Sequence, residues 1–529
     1  MRAVLGDRVR QARASARGSA RTSRVWWAFA GVLLLLAAAN PTGAVAGDPP
    51  VYAGPLARAA CGPGSNPESP EPGMQGRVSA QDVMSGRAAK GYTCNTQLVG
   101  HYGSTAGYKV LRYVDAAGHE CAYYDTTLLF PANTLTAGTE LTGVFVLDMS
   151  HPSHPKRTAS LLTPAMQSPH ESLSLNQRRG LLVADMGYPT FHPGFVDVYD
   201  LTHDCRHPVL RSSAPTGVLG HEGNFSPDGN TFWVSSTGGK TLTAVDLTDP
   251  SRPLPLWTTT EFVVHGLNVS DDGNRLYFAD LGTPSGLTIL DVSQVQRRVA
   301  NPKVPIVSRL TWDNVSIPQV PIPVKINRHP YLVEVDEFAR GVAGSDPKAP
   351  VGAARIIDIA DDTQPRVISN MRLEVNQPEA RAGDQANDPG ARNGLQGYAA
   401  HYCAVPRRDE PGVVACSFIL SGLRLFDIRD PYHPKEIAYF NAPVPPSRTG
   451  GLGSNYDMSG GTFVPERAEI WYSDGNSGFY AIRVTNGVWP FLPPAPPVLR
   501  AKAAGLRRSA AHRSPSHKPR RPPPKRRRR

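Results

Sequence analysis

Familiar catalytic signatures are missing from this sequence. His170-Glu171 and His221-Glu222 are not followed by a second His at the fourth position, so no zincin helix is encoded, and there is no G-x-S-x-G elbow, Walker loop or dinucleotide fingerprint. The chain has six Cys and no C-x-x-C pair, which argues against thiolate metal knuckles and, in an exported chain, for disulfides. The apolar run VWWAFAGVLLLLAAA at 25–39 is too short for a comfortable membrane span. Acid is absent from residues 500–529, which carry thirteen Lys or Arg.

The two ends hold most of the unusual composition. Residues 1–24 contain seven Arg and one Asp, and the apolar run after them leads to Ala44-Val45-Ala46. A basic segment, a short apolar stretch and an A-x-A site predict a signal peptide over 1–46, cleaved after Ala46, with an uncleaved anchor as the alternative. Without a twin-Arg motif or a nearby lipidation Cys, the expected route is general secretion, to the envelope or the medium. The segment 491–529, rich in Pro and Arg, cannot bury enough apolar surface to offset its ordering entropy and reads as a disordered basic tail. It suits anionic cell-wall polymer or lipid headgroups, or serves as a plain polar tail. The chain is +11 in all, with +6 in residues 1–24 and +13 in 500–529, leaving the body at −8. An acidic body excludes nucleic-acid binding by a cationic stripe.

Cys403 and Cys416 lie symmetrically about Asp409-Glu410 in HYCAVPRRDEPGVVACS, so a hairpin turning there sets them opposite one another and predicts a bridge. Cys61, Cys94, Cys121 and Cys205 allow three pairings, among which the sequence does not choose.

A repeat emerges when the chain is aligned on apolar runs closed by Asp: VFVLD, VDVYD, LTAVD, LTILD, ARIID and LRLFD, ending at residues 148, 200, 246, 291, 358 and 427. A weaker copy, GFYAIRV, has Arg483 in place of Asp. The longer intervals carry Gly/Pro-rich inserts such as GVAGSDPKAP (341–350) and PEARAGDQANDPGARNG (378–394). Within a unit, alternating apolar and β-branched residues separated by turns such as Ser-Pro-Asp-Gly predict four short strands. Four-stranded units at this period mean an all-β chain, a seven-bladed β-propeller with four-stranded antiparallel blades opening near Gly107, His170, His221, His265, Gln319, His401 and Ser459. The last unit lacks a fourth strand, because the sequence after Trp489 is too rich in Pro. A strand from Asn95 to about Tyr102 is therefore expected to close the ring. The propeller then covers 95–490, preceded by a Pro/Gly-rich segment over 47–94.

The repeats, together with HYCAVPRRDEPGVVACS, SGLRLFDIRDPYHPKEIAYFNAP and EIWYSDGNSGFY, are similar to the bacterial LVIVD-repeat family of exported β-propellers over residues 90–490. The resemblance implies the same fold and an exported location, and no activity that transfers residue by residue.

The strand-ending Asp residues are expected to shape turns, since a short carboxylate there accepts local backbone N–H bonds. His329 lies just before a second strand and is excluded from the axial series. First strands line a propeller channel, so His170, His221, His265 and His401 should converge on the axis, with Glu222, Gln319 and Tyr402 beside them as ligand-binding residues. Converging imidazoles suit Cu or Zn; alternatively they bond neighbouring blades. Two function classes follow. One is a monomeric exported binding or scaffolding propeller that holds a protein or small molecule on one face. The other is a metal-dependent oxidase or hydrolase with its metal in the channel.

Overall fold

The computed structural model describes residues 54–68, 73–127, 143–187, 193–312, 317–338, 351–377, 380, 397–443 and 455–491. The chain divides into two compact units, Met1–Pro490 and Phe491–Arg529. The expected signal peptide, the insert at 341–350, the insert at 378–394 apart from Ala380, and the basic tail beyond Phe491 lie outside the described residues.

The first unit is a seven-bladed β-propeller of antiparallel sheets. Blade 1 runs from Val110 to Leu161, blade 2 from Ser174 to Pro215, blade 3 from Glu222 to Thr259 and blade 4 from Val264 to Thr311. Blade 5 spans Ile317 to Met371, blade 6 Ala400 to Asn441 and blade 7 Thr462 to Val484. Third strands such as Val144–Asp148 are sandwiched between blades and buried on both faces except at the terminal Asp, whereas the outer strand Lys156–Leu161 begins exposed. Burial on both faces is why the third strands are mostly apolar, with Asp197, Arg355 and Arg424 as buried charged exceptions, and the turn that follows is why each ends in Asp. All six of those Asp carboxylates accept the backbone N–H two residues on, at 2.9–3.0 Å. They are turn formers, spread over six blades.

The ring closes through Thr96–Tyr102, which pairs antiparallel with Gly478–Val484 as the outer strand of blade 7. In every blade the pairing of outer and third strands slips once: at Val146/Leu147, Leu210/Ser212, Ala244/Val245, Ile289/Leu290, Ile356/Ile357 and Leu425/Phe426, and at Leu98/Gly100 in the closing strand. Such bulges raise local twist, so a strand from the far end of the chain reproduces the shape of its six counterparts.

Sheet pairing begins earlier than the expected boundary at Asn95. Tyr92–Cys94 adds a fifth strand to blade 6, against Tyr439–Asn441. Asn95 alone separates this strand from the closing one, so consecutive residues pass between two sheets. It adopts a left-handed φ of 53°, which Asn tolerates better than most residues. Its buried amide donates to the carbonyls of Ala60 and Ile437, each at 2.9 Å. The disulfides are Cys61–Cys94, Cys121–Cys205 and Cys403–Cys416, and Cys403 stands directly opposite Cys416 in the sheet.

Candidate metal centre on the propeller axis

The expected His series converges. His265 and His401 lie within the innermost strands Val264–Val269 and Ala400–Ala404, His221 immediately precedes Glu222–Phe225, and His170 precedes Ser174–Asn176. The rings of His170 and His221 are 4.4 Å apart between centroids, and those of His221 and His265 are 4.8 Å apart. His170 sits at a left-handed φ of 51°, a strained state for a side-chain-bearing residue that the surrounding blades must hold. His329 stands apart from this group: it opens the second strand of blade 5, with Nε2 2.8 Å from Asp358 Oδ1.

At the centre of the imidazoles is Glu171, 1% exposed and aligned with Glu222 through a parallel bridge between blades 2 and 3. Its Oε2 stands 3.8 Å from His170 Nδ1, 3.4 Å from His221 Nε2 and 3.6 Å from His265 Nε2. Its Oε1 accepts a 2.6 Å hydrogen bond from Gln319 Nε2 and lies 3.3 Å from His401 Nε2. A second carboxylate, Glu337, approaches from the end of the second strand of blade 5, with 3.1 Å to His401 Nε2 and 3.6 Å to His265 Nε2. His401 Nδ1 donates to the Met458 carbonyl at 2.8 Å, and His265 Nδ1 donates to the Pro318 carbonyl at 2.9 Å.

Burial holds the His170 imidazole well below the usual histidine range, and the neighbouring His221 adds to the effect. Burial also lowers His265, against the pull of Glu337 and Glu171. For Glu171, burial opposes ionisation, but the imidazoles of His170, His221 and His401 prevail and keep its carboxyl well below the usual range. His401 goes the other way: burial opposes its charge, yet bonding to Glu171 and Glu337 pushes it up to about 10.

Glu222 and Tyr402 occupy an adjoining compartment. Lys109 Nζ lies 3.4 Å from Glu222 Oε1 and 4.1 Å above the Tyr402 ring. Gly266 makes the space: a Cβ there would stand 2.2 Å from Glu222 Oε2. The side chains of His221 and Lys109 are each 14% exposed, so this edge meets solvent.

Sequence reasoning missed Glu171, Glu337, Lys109 and the Tyr108 ring that packs 4.3 Å from His170. Glu171 had a signal, since it follows a predicted axial His, but it was weighed only against zincin spacing. Glu337 had none, because the blade register points to Asp336.

No family model matches the sequence, and no curated protein matches it. Among solved structures, the chain is similar to a putative 6-phosphogluconolactonase from Bacteroides uniformis, at 12% identity over 68% of this chain and 92% of that one, with a TM-score of 0.46. It is similar to the β-propeller domain of Cps50 (Swd1) from Myceliophteria thermophila at 12% identity over 74% and 100%, TM-score 0.45. The periplasmic gluconolactonase PpgL of Pseudomonas aeruginosa gives 13% over 66% and 93%, TM-score 0.43.

Proposed function

We propose that the protein is an exported metal-binding propeller of the LVIVD-repeat type, with His170, His221, His265 and Glu171 holding one Cu or Zn ion on the axis. The observation that carries this reading is the orientation of His265. A carbonyl can only accept, so Nδ1 carries a proton; burial favours the neutral ring, and its Nε2 lone pair then faces Glu171 Oε2 and Glu337 Oε1, each 3.6 Å away. A lone pair aimed at two carboxylate oxygens is repulsive unless a cation lies between them. The spacing agrees. Tetrahedral bonds of about 2.0–2.1 Å separate ligand atoms by about 3.4 Å; Glu171 Oε2 stands 3.4–3.8 Å from the three imidazole nitrogens, and the ligand atoms of His170, Glu171 and His221 lie within 4.8 Å of one another, with His265 outside that group. All six Cys are in disulfides, so the donors on offer are imidazole and carboxylate, which suit Zn or Cu(II) and not thiolate-seeking ions. The disulfides are also consistent with export.

A Cu or Zn ion here supplies Lewis-acid or redox chemistry to a small molecule reaching the His221 edge. Elemental analysis of the purified mature protein tests the reading: about one Cu or Zn per chain is expected, and His221→Ala with His265→Ala should remove it while leaving the β-sheet circular dichroism intact. A protein that takes up neither ion is instead a binding or scaffolding propeller. For that role the recess on offer is a cleft of about 670 Å³ between blades 4 and 5, lined by Asp271, Arg275, Lys325 and Tyr331.

A further inference from the structure

The Glu171 carboxylate is divided between two environments. Oε2 faces the three imidazole nitrogens of blades 2, 3 and 4, while Oε1 takes Gln319 Nε2 at 2.6 Å and faces His401 Nε2 at 3.3 Å. His401 is fixed from both sides. Its Nδ1 donates to Met458 at 2.8 Å, and its Nε2 meets Glu337 Oε2 at 3.1 Å as well as Glu171. Both of its carboxylate partners lie within hydrogen-bonding reach of Nε2, whereas His265 Nε2 stands 3.6 Å from each of its two.

We infer that Gln319, His401 and Glu337 form a clamp, supplied by blades 5 and 6, that positions Glu171 to ligate the ion held by blades 2, 3 and 4. The inference rests on the metal reading above and assigns His401 to the clamp, not to the donor set. The physical reason is rotation. A glutamate turns freely about its last torsion and offers either oxygen. Holding Oε1 by two donors fixes Oε2 at one point among the imidazoles. Glu337 acts through Oε2, which holds the His401 ring at the angle that reaches Glu171 Oε1, while its Oε1 stands 3.6 Å from His265 Nε2. Groups that orient ligands in this way typically change metal affinity by about 10–100-fold when removed. Among the described residues the axis thus divides by blade, with donors on one arc and positioning groups on the next.

The test uses the full mature protein, with Zn²⁺ competed against a chromogenic chelator and Co²⁺ as spectroscopic probe. Glu337→Gln and His401→Leu should each keep one equivalent of ion, weaken Zn²⁺ binding about 10–100-fold and shift the Co²⁺ visible bands. His401→Gln, which can still donate to Glu171, should recover part of the loss. Glu171→Gln and His221→Ala should lose stoichiometric binding. Gln319→Leu provides a second arm that removes the 2.6 Å bond to Oε1, together with the 3.4 Å contact to His401 Nε2, and leaves both Glu337 and His401 in place. Folded variants with wild-type affinity and unchanged Co²⁺ bands would overturn the clamp while the metal reading stands. Loss of stoichiometric ion in His401→Leu would also overturn it, by making His401 a ligand. A wild-type protein that takes up neither Zn²⁺ nor Co²⁺ would remove the metal reading and the clamp together.

Discussion

Thr96 lies opposite Val484 in one antiparallel sheet, so the first and last strands of the ring share blade 7. The preceding residues are pinned by the Cys61–Cys94 disulfide and by Tyr92–Cys94 in blade 6. Deleting residues 47–104 of the mature protein should therefore expose the edge of Gly478–Val484 and strip the fifth strand from blade 6. A markedly lower melting temperature with loss of a single cooperative transition is expected in calorimetry. A truncated protein that melts like the mature one would show that closure adds nothing.

The strand-ending aspartates give a pH dependence. For Asp148, Asp246, Asp291, Asp358 and Asp427, burial opposes ionisation, but the N–H donors of the following turn and nearby cations prevail and lower each carboxyl. A carboxyl lower in the folded state contributes stability above its unfolded value of about 4, and that contribution is lost as pH falls through the folded value. The part of the urea midpoint that these five residues supply should be constant near neutrality and vanish below about pH 4. Asp246→Asn and Asp291→Asn should be less stable than wild type at pH 7 by about 1 kcal/mol each and lose less on acidification. Parallel pH profiles for variant and wild type would refute the assignment.

These residues also show why the fold could be read and the site only in part. An apolar run closed by Asp is a one-dimensional trace of a strand buried on both faces and followed by a turn, so it repeats visibly in sequence. The axial His positions followed from that register. Glu171 carried one signal, following an axial His, whereas Glu337 carried none: it reaches His265 and His401 because the long second strand of blade 5 ends beside the innermost strands of blades 4 and 6. The Tyr92–Cys94 strand escaped for a related reason. Three residues flanked by a single left-handed residue, Asn95, carry too little periodicity to mark a strand, and their partner at Tyr439–Asn441 is remote in sequence.

Arg424 is fully buried, with Nη1 3.0 Å from Glu436 Oε1 and Nη2 on Glu68, while Gln75 Nε2 donates to Glu436 at 2.7 Å. This network ties the N-terminal segment to blade 6. Arg424→Ala leaves two buried carboxylates without their cation and should cost about 3–5 kcal/mol. Urea unfolding at pH 7 provides the measurement. A change under about 1 kcal/mol, the scale of an exposed pair, would mean that the carboxylates find other partners and that the segment is not anchored here.

Metal binding should register in stability as well as in composition. The donors His170 and Glu171, His221 and His265 open blades 2, 3 and 4, so an ion among them adds a further link to three sheets already joined by bonds such as Ser174 to Gly223 and Asn224 to Asn268. Binding to the folded state alone stabilises by RT ln(1 + [L]/Kd), about 4 kcal/mol at a free concentration one thousand times Kd. Adding Zn²⁺ or Cu²⁺ to chelator-treated protein should raise the melting temperature, and the chelator should reverse the rise. In His265→Ala the three-blade link is broken, and the increment should fall to nearly nothing. Cys61→Ser with Cys94→Ser supplies the control, because it lowers stability by about 3 kcal/mol in a segment that contributes neither a donor nor a clamp residue, and its metal increment should equal that of wild type. An equal increment in His265→Ala would place the ion elsewhere on the molecule.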